Sequence, residues 1–191
     1  MVYADDLSLL DTRMKKTKKQ RGFTLAELVI VVSVILILSI IAFVSYRQSQ
    51  YRSDVRNGAE RLASDLRHAQ ELSRGGIVQD QSHGADSRYG VAITSPATYL
   101  VYRDVNGNIF YDAGTDDVIS QETLPSRVTM VLPNKVTYSI SFPVAGDSSD
   151  TFVFESGVKL NSTPFEVTFI SERVHDIKRV EVKSSGVITV L

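Results

Sequence analysis

The chain is 191 residues long, with 21 basic against 22 acidic residues and no cysteine. That balance argues against a nucleic-acid binder, which carries a basic footprint. Without cysteine there is no disulfide, thiol nucleophile or cysteine-based metal site, and an exported domain must hold together through its core alone.

Met1 to Thr12 carries Asp5, Asp6 and Asp11 and no basic residue. Met14 then opens Met-Lys-Lys-Thr-Lys-Lys-Gln-Arg-Gly, a short and strongly basic run. Translation is expected to begin at Met14, with residues 1–13 lying ahead of it; a longer leader is the alternative. Residues 1–22 read as a basic targeting segment, outside any fold argument. They hold 6 basic and 3 acidic residues, which leaves 15 and 19 beyond them and a net charge near −4.

The leader meets an apolar run at Arg21-Gly22-Phe23-Thr24-Leu25-Ala26-Glu27-Leu28-Val29-Ile30. From Leu28 to Val44 come 17 residues without charge, Gly or Pro. At a rise of about 1.5 Å per residue, a helix from Phe23 to Val44 covers roughly 33 Å, one bilayer core. Residues 23–45 are the expected membrane helix. Glu27 sits just inside it, and a carboxylate among lipid tails costs on the order of a few kcal/mol and marks function. Lys15, Lys16, Lys18, Lys19 and Arg21 precede the span, so the positive-inside rule leaves the N-terminus in the cytoplasm and sends the rest across. The apolar region is too long for a secretory signal peptide, and no small-residue cleavage site follows it.

Gly22-Phe23-Thr24-Leu25-Ala26-Glu27 resembles the type IV prepilin signal, Gly followed by Phe-Thr-Leu-x-Glu. The resemblance runs through the apolar helix to about Tyr51. It implies that a membrane peptidase cuts after Gly22, that the new Phe23 amine is methylated, and that Glu27 meets the free amine of a neighbouring subunit. Each charge is poorly solvated in lipid, so pairing relieves both and gives subunit addition an electrostatic register. Many members of that family carry Pro near the place of Val44, where the helix loosens on assembly. This chain has none there, so such melting is not implied.

Beyond the span, Tyr51, Val55, Ala59, Leu62, Leu66, Ala69 and Leu72 recur in steps of 3 and 4, one stripe on an amphipathic helix over 46–74. Arg52, Asp54, Arg56, Glu60, Arg61, Asp65, Arg67 and Glu71 lie on the other face. Arg61 and Asp65 are spaced for an i,i+4 pair, and the face reads mainly as a solubilising one. Gly75-Gly76 is the expected stop. Residues 24–73 would then form a rod of roughly 75 Å, with Gly58 its only glycine.

After a polar stretch over 75–87 the period changes to 2. Expected strands are Tyr89–Thr94, Tyr99–Arg103, Asn108–Tyr111, Val118–Gln121, Arg127–Leu132, Val136–Phe142, Thr151–Glu155, Phe165–Ile170, Ile177–Lys183 and Val187–Val190. Ser184-Ser185-Gly186 reads as a tight turn between the last two. One helix followed by many short strands indicates an α+β fold, with antiparallel sheet in a head over 75–191 packed on the stripe.

The stretch Leu62-Ala63-Ser64-Asp65-Leu66-Arg67-His68-Ala69-Gln70-Glu71-Leu72 resembles the amphipathic helix of H-type minor pseudopilins of type II secretion and of FimT-type minor pilins. Phe154-Glu155-Ser156-Gly157 and Gly186-Val187-Ile188 stand where that group has a Phe-x-x-Gly turn and a closing hairpin. The resemblance implies the pilin fold and a structural subunit rather than an enzyme. It implies an inner-membrane protein with a periplasmic head, later part of a pilus or pseudopilus. Its partners would be the prepilin peptidase and methylase, other pilin or pseudopilin subunits and an inner-membrane assembly platform. A minor subunit is expected; a major pilin of an adhesive or motility fibre and a DNA-uptake minor pilin are the alternatives.

Asp104, Asn106, Asn108 and Asp112 alternate oxygen-bearing side chains, as a calcium loop does. The glycine comes too early for an EF-hand, and the twelfth place is Thr115. The competing expectation is a plain hairpin turning at Asn106-Gly107. His68, His83 and His175 share no metal-ligand spacing. Arg173, Lys178, Arg179 and Lys183 form a small basic cluster with Glu172, Asp176 and Glu181 interleaved, as on a solvated strand face. No nucleophile elbow, P-loop or dinucleotide fingerprint occurs, so no cofactor is expected.

Overall fold

Among the described residues, one helix precedes ten strands, all paired antiparallel. The computed structural model describes residues 22–75, 88–132, 134, 137–144, 151–160, 164–171 and 174–191. Helix α1 covers Leu25–Gly75, without a break at the end of the apolar run. The chain divides into two compact units, Met1–Phe43 and Val44–Leu191. The leader and most of the polar stretch after α1 lie outside the described residues.

In the second unit, α1 buries Tyr51, Val55, Gly58, Ala59, Leu62, Ala63, Leu66, Ala69 and Ser73. That is the expected stripe, with its last member Leu72 only partly buried, widened by three small residues where the head packs closely. A Cβ on Gly58 would stand 3.3 Å from Leu124 and Phe169, so the helix and the strands meet there almost backbone to side chain.

The strands are β1 (Arg88–Ser95), β2 (Thr98–Asp104), β3 (Asp117–Thr123), β4 (Val128–Val131) and β5 (Tyr138–Ser141), followed by β6 (Phe152–Glu155), β7 (Val158–Lys159), β8 (Phe165–Ser171), β9 (Val174–Val182) and β10 (Ile188–Val190). They form a six-stranded sheet in the order β3-β2-β1-β5-β6-β7 and a four-stranded sheet in the order β10-β9-β8-β4. One apolar core joins the α1 stripe to both, through Val91, Tyr99 and Ile140 of the first and Val167, Phe169 and Val180 of the second. The architecture is the α+β arrangement expected from the sequence, a long N-terminal helix with antiparallel sheet.

Two expectations need correction. Asn108–Tyr111 is not a strand, and β2 pairs instead with β3 across a long loop, residues 105–116. The charged face of α1 is also more than a solubilising surface. Arg56 does pair with Glu60 at 2.7 Å within the helix. Arg61 reaches Glu122 at 2.5 Å rather than Asp65, and Asp65 accepts the Tyr99 hydroxyl at 2.7 Å. Arg67 and Gln70 donate to the carbonyls of Ile188 and Gly186 at 3.1 and 3.0 Å. Long-range partners win because these side chains flank the stripe and overhang the sheets.

Two of the expected turns occur. Ser156 and Gly157 have φ of 47° and 81°, the two positive values that a type I′ hairpin requires. They join β6 to β7, a two-residue strand too short to show in the pattern. At Ser184-Ser185-Gly186, Gly186 donates its N–H to the Lys183 carbonyl at 2.9 Å with φ 79°.

Candidate functional site

The N-terminal segment is built from backbone outward. Among the described residues, chain neighbours aside, Gly22 has no atom within 4 Å of the place a Cβ would take, and Phe23 is 84% exposed, so no described residue covers the Gly22–Phe23 peptide bond. Thr24 is the N-cap of α1, and its carbonyl accepts the Leu28 N–H at 3.2 Å. The Thr24 hydroxyl oxygen accepts the Glu27 N–H at 3.2 Å. Glu27 reaches back, its Oε2 accepting the Thr24 N–H at 2.8 Å and the Thr24 hydroxyl at 2.9 Å. This is a capping box: two otherwise orphaned donors are satisfied reciprocally. It also places a carboxylate at the positive end of the helix dipole. The Thr-x-x-Glu spacing carries this signal in the sequence, hidden inside the longer prepilin pattern. Glu27 is thus held one helical turn from Phe23, the residue whose amine cleavage would create.

The helix that follows contains an 18-residue window of mean hydropathy 3.2 with none of it buried, long and apolar enough to cross a membrane. Its only polar side chains between Leu28 and Val44 are Ser33 and Ser39. Each hydroxyl donates to the carbonyl four residues back, Val29 and Ile35, at 2.7 Å. Such back-bonding leaves no hydroxyl unsatisfied among lipid tails.

The second candidate, residues 104–116, lies over the face of the six-stranded sheet opposite the main core. There Tyr111 packs on Tyr102, ring centres 5.3 Å apart, over Ala92 and Leu100. Asp104 is buried, and its two oxygens accept the N–H groups of Gly107 and Ile109 at 2.7 and 2.8 Å. Asp112 Oδ2 accepts the side-chain amides of Asn106 and Asn108 at 3.1 and 2.5 Å. Asn106 and Asn108 in turn accept the N–H groups of Asn108 and Phe110 through their Oδ1 atoms. Asp116, which with Asp117 follows the four expected ligand residues in the same candidate stretch, accepts from the Val105 and Asp112 N–H groups at 3.1 and 2.7 Å. Burial, with the charges of Asp104 and Asp112 adding to it, holds the Asp116 carboxyl above its usual range against those two hydrogen bonds. The expected hairpin fails here because side-chain oxygens take the N–H groups that a ladder would have used. Ile109, at φ 77°, carries backbone strain to make the path possible. The four expected ligand residues are therefore brought together, each engaged by the loop's own amides. Among the described residues no group of three or more His, Asp or Glu side chains is placed to hold a metal.

His68 is exposed on α1; His83 and the His175 side chain lie outside the described residues, as does Arg173. Lys178 and Arg179 are adjacent in β9 and so point to opposite faces of the sheet. Lys183 lies 3.8 Å from Glu181.

Residues 17–43 match the family described as the prokaryotic N-terminal methylation motif. No curated protein and no solved structure matches the chain. The match takes in the basic leader, Gly22, Phe23, Glu27 and nearly all of the apolar run.

Proposed function

We propose that this chain is a precursor of a pilin-like structural subunit, with the methylation motif over residues 17–43 as the observation that carries the reading. A prepilin peptidase cuts the Gly22–Phe23 bond, and Phe23 becomes the methylated N-terminus. Residues 23–45 anchor the subunit in the inner membrane, with the leader side in the cytoplasm and the head in the periplasm. An assembly platform then extracts the subunit into a filament with other pilin or pseudopilin subunits. In the filament the carboxylate of Glu27 exchanges its capping partners for the Phe23 amine of a neighbour. The exposed scissile bond and the capped carboxylate one turn away support this division of roles.

The likeness of residues 62–72 to H-type subunits favours a minor subunit of a pseudopilus or pilus. Intact-mass analysis of the mature protein tests the core reading: it should begin at Phe23 and carry an added methyl group. Any other mature N-terminus sinks the proposal. Gly22→Ala should leave the longer precursor in the membrane. Trace abundance in purified filaments marks a minor subunit, and dominance marks a major one.

A further inference from the structure

The eleven residues from Val44 to Asp54 hold Arg47 and Arg52 against one carboxylate, the half-buried Asp54. Both arginines are exposed. Tyr46, 62% exposed, stands just past the apolar run, its hydroxyl accepting the Gln50 amide at 2.9 Å. The turn after β3 adds a third basic group: the exposed Arg127 guanidinium lies 5.1 Å from the ring centre of buried Tyr51. Arg47 is one helical turn before Tyr51 on the same side of α1. An exposed basic surface thus gathers around the first turns of α1 in the second unit, in a chain whose net charge beyond the leader is near −4.

We infer that this surface docks on anionic phospholipid headgroups while the subunit resides in the membrane. The inference rests on the reading of residues 23–45 as a membrane anchor. Chain continuity limits the reach: Arg47 is roughly 5 Å and Tyr51 roughly 10 Å of helix beyond Val44, while the polar layer of a bilayer is about 5–7 Å deep on each side. Long arginine stems can lay their heads into that layer. Guanidinium forks match phosphate oxygens, and an exposed tyrosine at this depth is a usual interfacial anchor. The charge is complementary to acidic lipid, and the span delivers the surface to it.

The chain has no cysteine, so Ser126→Cys beside Arg127 accepts a single fluorophore. The full chain is placed in nanodiscs at one copy per disc, in phosphatidylcholine alone or in an equal mixture with phosphatidylglycerol. Headgroup-linked quencher lipid reports contact. Quenching should be stronger in the anionic discs. It should fall between 0.1 and 1 M salt, as the screening length drops from about 10 to about 3 Å. Arg47→Gln with Arg52→Gln, which leaves Arg127 on Tyr51, should lower the docked-to-free ratio about fivefold per arginine, roughly 25-fold for the pair. Equal quenching in both lipids overturns the inference while leaving the anchor intact. A chain that never enters the discs removes the anchor reading as well. Contact that appears only at several copies per disc, whatever the lipid, gives the surface to a second copy instead.

Discussion

On the proposed reading, Glu27 is the residue whose role changes most between subunit and filament. In the structure its carboxylate accepts the backbone and side-chain donors of Thr24. Glu27→Leu should leave membrane insertion and cleavage intact, because the span becomes more apolar and Gly22 is untouched. It should abolish entry into filaments, since an incoming amine left unpaired in a low-dielectric site costs several kcal/mol. Co-assembly of the variant at wild-type levels, read from sheared filaments, would mean that apolar packing alone sets the register. In the head, Asp104→Asn keeps one acceptor and turns an N–H donor toward the Gly107 or Ile109 amide. A loss of about 1–3 kcal/mol in the denaturant unfolding free energy is expected. Glu27 stands out in the sequence because a carboxylate inside an apolar run is costly. The engagement of Asp104 was not legible, since the same Asp-x-Asn-Gly-Asn string suits a hairpin, a cation loop or a self-capped loop. Long-range packing on Tyr102 decides among the paths.

At the scale of elements, β1 and the loop over 105–116 control the outer face of the six-stranded sheet. Gly90 lies opposite Tyr102, and a Cβ there would come within 2.8 Å of its ring and 2.5 Å of the Ile140 carbonyl oxygen. Gly90→Ala should therefore lower stability by about 1–3 kcal/mol by overpacking, measurable as a lower thermal midpoint. The loop also responds to pH through Asp116. Its carboxyl is raised in the folded state, so the folded protein holds that proton more tightly than the unfolded chain. Stability from this group is greatest in acid and is lost as pH rises from about 4 through the raised value. Wild type should gain on Asp116→Asn when both are melted at pH 4 rather than pH 7; a gap that does not change with pH removes the account. With the Asp104, Asn106, Asn108 and Asp112 side chains already engaged by the loop, melting midpoints in calcium and in chelator should agree. The apolar stripe of α1 and the long strands were legible because their periods survive in the packed structure. The loop's path and the two-residue β7 were not, because neither carries a period of its own.

Across the whole molecule, the boundary between units falls at Phe43 and Val44, while the first buried residue of α1 in the head is Tyr51. A fragment beginning at Ser49 keeps the entire stripe and discards the lipid-suited run. It should be a monomeric α+β protein that needs no reductant, as circular dichroism and sedimentation can check; aggregation of every such fragment would mean the head is incomplete alone. The hydrogen bonds from Arg67 to Ile188 and from Gln70 to Gly186 span 121 and 116 residues of sequence. Closing contacts so far apart is slow, since chain entropy is lost before the contacts offset it. On the proposed topology, a head threaded across a membrane with its helix leading has its apolar stripe only partly covered until β8 to β10 have followed. During that interval the chain is a substrate for proteases and for self-association. On that topology the time at greatest risk is set by translocation, and docking of the final hairpin on Arg67 and Gln70 completes the head.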